Sequence, residues 1–264
     1  MSNRQSLKNT ENTTLLLNAW KRLLLAYVIS FAASIATAHI LVQFLLIKPE
    51  TIFEISTKRL SYAIPFFDAG SEMGIDSGIL LFIWNSAGSL ATISFIYTVT
   101  LLNPHNVTLF PQWLRKLFCG RTKMKLLCFL PGCLKIDEEA LRRAYVWLMV
   151  PLLGMILLGI ESGLSASTAS YIFGSYFIGL ISMLPHGIIE IPTISLAGAV
   201  TFSAHLMLKK NVGSCKTAEI FSKIRVYRQN IPIRAIALFV ICCLFIAGLV
   251  EAHITQKIIA NMVQ

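Results

Sequence analysis

The chain has 264 residues, of which 55% are hydrophobic and only 14% charged, with a mean hydropathy of +0.69. A soluble domain of this size carries about a quarter charged residues, so a water-soluble globule is excluded and a polytopic membrane protein is implied. The net charge of +10 does not point to nucleic acid, because the basic residues gather beside apolar runs and no recognition motif accompanies them.

In chain order, apolar segments fall at 23–47, 79–102, 144–164, 168–186, 191–208 and 235–252. Residues 1–22 are polar and lead into the first segment without a small-residue cleavage site, so no cleavable signal peptide is expected. The connections differ in charge. The N-terminal segment has Arg4, Lys8, Lys21 and Arg22 against Glu11. Residues 48–78 have Lys48, Lys58 and Arg59 against Glu50, Glu54, Asp68, Glu72 and Asp76. Residues 104–143 carry eight Lys/Arg against Asp137, Glu138 and Glu139, and 209–234 carry seven against Glu219 alone. The positive-inside rule then places the N-terminus, 104–143 and 209–234 in the cytoplasm, with 48–78 outside. The expected location is the cytoplasmic membrane. The apolar residues of 48–78, among them Phe53, Ile55 and Tyr62, suit the membrane surface.

This assignment demands an even number of crossings between the two basic loops, whereas hydropathy offers three. Two repairs are open. One segment near 185–192 breaks or re-enters within the membrane, or the chain is a six-span bundle with a basic outer loop. Asp137 followed by Glu138, Glu139, Arg142 and Arg143 predicts a helix that starts in water and runs into the third span. The fold expected is all-α: a bundle of about five or six membrane segments forming one domain over 23–255.

Candidate chemistry lies in the polar residues within the spans. Pro185-His186-Gly187-Ile188-Ile189-Glu190-Ile191-Pro192 sets two ionisable groups between prolines, where a helix break at Pro185, Gly187 and Pro192 is expected. His186 and Glu190 share a face if helical. Glu251 and His253 sit near the end of the last span, Glu161 near that of the third, and Asn85 in the second. The expected buried polar cluster is His186, Glu190, Glu251, His253 and Asn85, either as a structural network or as part of a transport or proton path. The ordinary reading of Asn85 is a contact that glues helices, as is the small-residue spacing of Ser30 with Ser34 and Ala87 with Ala91. A zinc centre is not expected, since the local spacing of two histidines around a glutamate is missing. The cysteines, Cys119, Cys128, Cys133, Cys215, Cys242 and Cys243, match no zinc spacing and read as free thiols or packing residues. No nucleophile elbow, phosphate loop or dinucleotide fingerprint occurs. Neither catalytic residues, nor a metal, nor a cofactor is expected.

Leu184-Pro185-His186-Gly187-Ile188-Ile189-Glu190-Ile191-Pro192 with Leu196-Ala197-Gly198-Ala199 resembles the signature of the stage II sporulation protein M family. Ala247-Gly248-Leu249-Val250-Glu251-Ala252-His253-Ile254-Thr255 is similar to its closing helix. Trp84-Asn85-Ser86 resembles a third position, although Ser86 stands where the family often has a second asparagine. The resemblance covers roughly 79–255, and the basic loop is longer than the family pattern. It implies a non-enzymatic membrane scaffold or subunit of a cell-envelope complex. In spore formers, the namesake resembles a scaffold that recruits peptidoglycan-degrading partners. The alternative it leaves open is a transporter or permease component, as in peptide or bacteriocin export, with an intramembrane hydrolase third. The implied partners are the bilayer and other membrane or envelope proteins, and no nucleic acid.

Overall fold

A computed structural model describes residues 2–101, 136, 138–181, 183–211 and 215–263, and every regular element among them is helical. In chain order these are α1 (Ser2–Gln43), α2 (Pro49–Thr57), a 3₁₀ turn (Lys58–Tyr62), α3 (Ile64–Glu72) and α4 (Ser77–Leu101). Then come α5 (Glu139–Ile172), α6 (Tyr176–Ile181), α7 (Leu184–Asn211), α8 (Thr217–Asn230) and α9 (Ile233–Leu249). A π-helical turn (Val250–Thr255) joins α9 to α10 (Gln256–Val263). The expected all-α bundle is thus present. Cys119, Cys128, Cys133, Asp137 and nearly all of the basic loop 104–143 lie outside the described residues. Among the described residues, Cys215, Cys242 and Cys243 form no disulfide.

Among the described residues, five stretches are long and apolar enough to cross a membrane: Glu11–Gln43, Ser77–Thr98, Leu141–Ile172, Leu184–Asn211 and Ile233–Asn261. The third span begins in a helix that starts at Glu139, with Glu138 preceding it in extended conformation. There, the Arg142 guanidinium turns back to the Ile136 carbonyl, donating from Nε at 3.0 Å and Nη2 at 2.6 Å. The polar N-terminal residues from Ser2 onward are helical and continuous with the first span in α1.

The apolar segment 168–186 is not a span. Its first residues complete α5, the chain turns at Gly174 in the left-handed region (φ +68°), and α6 folds back along α5. A Cβ on Gly179 would stand 2.1 Å from the Ala166 carbonyl oxygen, so glycine is what lets α6 lie against α5. Two helices long and apolar enough to cross, α5 and α7, therefore lie between the two basic segments, an even number as the charge pattern requires.

The position of the break differs from the expectation. Residues 185–192 do not interrupt the helix but form its first two turns. Pro185 is the second residue of α7, where a missing N–H removes no intrahelical bond. Pro192 lies inside α7, which runs on to Asn211. Near it, Trp20 on α1 donates its indole N–H to the Pro192 carbonyl at 2.9 Å, tying the first span to the proline turn.

α7 is the centre of the bundle and touches α1, α4, α5 and α9. Its segment Ala197–His205 is buried throughout and rich in Ala, Gly, Ser and Thr. Small side chains let helix backbones approach where lipid tails supply no hydrophobic drive for association. Large apolar side chains such as Leu25, Ile29, Leu238 and Phe239 face outward, as a bilayer permits.

Beside α5, the connection between the first two spans is fixed by Ser56 to Ser165 (2.9 Å) and by the ion pair Arg59–Glu161 (2.6 Å). Farther along, Phe66 and Phe67 pack on Trp84 of α4. Exposed Leu46, Ile55, Tyr62 and Met73 fit the interfacial placement expected for this connection.

At the opposite end, α8 packs Ile220, Phe221, Ile224 and Tyr227 into the bundle, and Arg228 lies over the Tyr97 ring. Burial pushes the Tyr227 phenol up to about 12 from its ordinary value of 10.0. The folded state therefore keeps this phenol neutral over a range in which the unfolded chain ionises it. The stability it supports is complete below pH 10.0 and falls as pH rises toward about 12. Tyr227→Phe is expected to flatten the alkaline fall of the thermal midpoint over that window, and an unchanged slope would refute the assignment.

Candidate functional site

The site is assembled from three spans near the end of the bundle at which α7 begins. On α7, His186 and Glu190 lie one turn apart on one face. On α9, the α-helix ends at Leu249 and widens into the π-helical turn that carries Glu251 and Thr255. Such turns insert one residue into the helical repeat and re-aim the side chains that follow. On α4, Asn85 faces the same place.

What brings α4 and α9 together is a glycine contact. A Cβ on Gly248 would lie 2.6 Å from the Gly78 carbonyl oxygen, and one on Gly78 would lie 3.0 Å from the Gly248 carbonyl oxygen. Gly248 precedes Glu251 by three residues, so the close approach and the acidic side chain belong to one short segment. Gly187 has a different environment, since a Cβ there would meet only Ile191 at an ordinary 3.5 Å.

The donor atoms of His186, Glu190 and Glu251 all lie within 4.8 Å of one another, and all three residues are partly buried. Asn85 Nδ2 donates to Glu190 Oε1 at 2.9 Å. Thr255 Oγ1 donates to the Val250 carbonyl at 3.3 Å and lies 3.4 Å from His186 Nδ1. When its hydroxyl proton goes to Val250, the Thr255 oxygen can accept a ring proton from Nδ1, the tautomer that leaves Nε2 with its lone pair.

His186, Glu190, Glu251 and Asn85 of the expected cluster are thus brought together, and His253 is not. His253 is exposed and pairs with Asp76 across the α4–α9 contact, Nε2 to Oδ2 at 3.2 Å. It stands two residues from Glu251 and so points to another side of the helix. Glu161 is likewise engaged elsewhere, by Arg59.

Sequence reasoning missed Thr255, Trp20 and His205. The last is buried in α7, with Nδ1 3.1 Å from the Tyr145 carbonyl and its ring stacked on Phe202. A histidine in an apolar run just before Lys209 and Lys210 was the available signal.

A family model described as Stage II sporulation protein M matches residues 111–256, more than half of the chain. The protein belongs to the stage II sporulation protein M family. The match contains His186, Glu190 and Glu251 and stops short of Asn85, so this family member's second span lies outside the matched region. Neither the comparison with curated proteins nor that with solved structures returned a match. The chain is an integral membrane protein of the stage II sporulation protein M family, with helices suited to several passes.

Proposed function

We propose that this family member is a non-enzymatic scaffold or subunit of a cell-envelope complex. It sits in the cytoplasmic membrane with its N-terminus and both basic segments on the cytoplasmic side. One observation carries the reading. The polar residues of the signature are engaged in joining spans, Asn85 of α4 to Glu190 of α7 and His186 of α7 to Thr255 at the end of α9. Such contacts set the arrangement of helices and thereby the surface offered to other membrane proteins. The orientation is supported by the charge asymmetry, which five crossings satisfy without an exception.

A second reading, a transporter or permease component, is favoured by the gathering of two carboxylates and a histidine within spans. The full chain, purified from native membranes after mild cross-linking, separates the two. A scaffold is expected to bring stoichiometric membrane or envelope partners and to show no solute or proton flux in proteoliposomes. Flux by the purified chain that Glu190→Gln abolishes, without partners in the cross-linked material, would overturn it.

A further inference from the structure

We propose that His186, Glu190 and Glu251 bind one divalent transition-metal ion of the zinc class, which clamps α7 to the end of α9. The three donors come from two helices and converge to within 4.8 Å. Zinc bound at about 2.0–2.2 Å by nitrogen and oxygen needs donor separations of about 3.4 Å, which side-chain rotation can reach from there. Charge supplies the second argument. Two carboxyl groups held this close inside membrane spans cannot both ionise without a cation between them, because the medium has a low dielectric constant. A dication with two carboxylates and one neutral imidazole leaves a site of zero net charge.

The surrounding contacts are those that ligands of a metal receive. The Asn85 amide fixes one oxygen of Glu190, and Thr255 stands 3.4 Å from His186 Nδ1, a contact that in the matching tautomer leaves Nε2 free to bind the ion. The Glu251 carboxylate is the member of the set for which the described residues give no hydrogen-bond or ion-pair partner. The imidazole favours zinc or a similar ion over magnesium and calcium, which prefer oxygen ligands alone.

The site is tested on the full chain in detergent, with any affinity tag removed because polyhistidine binds zinc. After stripping with a chelator and adding back Zn²⁺, elemental analysis is expected to find about one ion per chain. His186→Gln and Glu251→Gln are each expected to weaken binding about tenfold or more. His253→Gln, outside the set, is expected to bind as the parent does. No stoichiometric uptake by the parent chain, or uptake by both variants equal to it, would overturn the proposal. Should the variants fail to give a monodisperse protein, Co²⁺ added to the stripped parent chain decides. Visible absorption bands of a low-coordinate site that Zn²⁺ displaces support the site, and their absence overturns it. Metal content is read without any partner, so this result and the test of the scaffold reading can fail separately.

Discussion

Replacing Gly159 or Gly163 by valine is expected to unseat α1 from α5 and to destabilise the solubilised protein by about 1–3 kcal/mol per site. The two glycines lie four residues apart on α5, in Gly159-Ile160-Glu161-Ser162-Gly163, and face the helix with which α5 makes its most extensive contact. A Cβ on Gly159 would stand 2.1 Å from Ser30 Oγ and 2.6 Å from the Tyr27 carbonyl oxygen. One on Gly163 would stand 2.5 Å from the Phe31 carbonyl oxygen and 2.9 Å from Ser34 Cβ. The backbone atoms cannot swing aside as a side-chain tip can, so the helices must separate. In lipid that separation is not offset by hydrophobic burial elsewhere, because tails and apolar side chains are equally acceptable neighbours. Gly88 and Gly154 provide the control, since nothing stands within 4 Å of a Cβ at either. Their replacement by alanine is expected to be neutral or to stabilise by about 0.5–1 kcal/mol through helix propensity. Thermal unfolding followed by size-exclusion recovery measures both sets. A Gly159→Val protein as stable as Gly154→Ala would show that the α1–α5 contact is not set by these glycines.

That contact shows where the sequence was readable and where it was not. The spacing of Ser30 and Ser34 marks one side of the contact, and Gly159 with Gly163 carries the same four-residue signal on the other. Span positions followed from apolar length, because backbone groups in lipid are satisfied inside helices. The segment 168–186 defeated hydropathy for a physical reason: its residues are apolar enough to cross, and what turns the chain is the conformation of Gly174, which hydropathy does not register. Charge parity registered it indirectly, by requiring one crossing fewer. Proline chemistry misled in the other direction, since Pro185 in a first turn starts a helix instead of breaking one. The cluster was legible as a set of ionisable residues at membrane depth. Its membership was not, because the wide turn at 250–255 and the Gly78–Gly248 approach decide which side of α9 faces α7.

Glu190→Ala is expected to cost about 1–3 kcal/mol of stability and to abolish function in a deletion strain, whereas Glu161→Ala is tolerated. The difference follows from what each carboxylate touches. Glu190 accepts from Asn85 within the bundle at 2.9 Å, so truncation leaves an amide without its partner where water does not replace it. Glu161 is partly buried but pairs with the half-exposed Arg59 at the edge of the bundle, and a pair open to water on one side is worth about 1 kcal/mol. Glu190→Gln separates the two jobs of the residue. It keeps an oxygen for Asn85 and removes the acid that can ionise beside Glu251, so the α4–α7 contact survives without a carboxylate at this position. In the metal-free protein its stability is expected to match or exceed that of the parent chain, with function still lost, because the charge serves what the cluster binds and not the packing alone. Thermal midpoints of the three purified variants, read beside complementation, check each step. Equal tolerance of Glu190→Ala and Glu161→Ala would remove Glu190 from any special role. A glutamine variant as unstable as the alanine one would show that the charge of Glu190, rather than its hydrogen bond to Asn85, holds α7 in place.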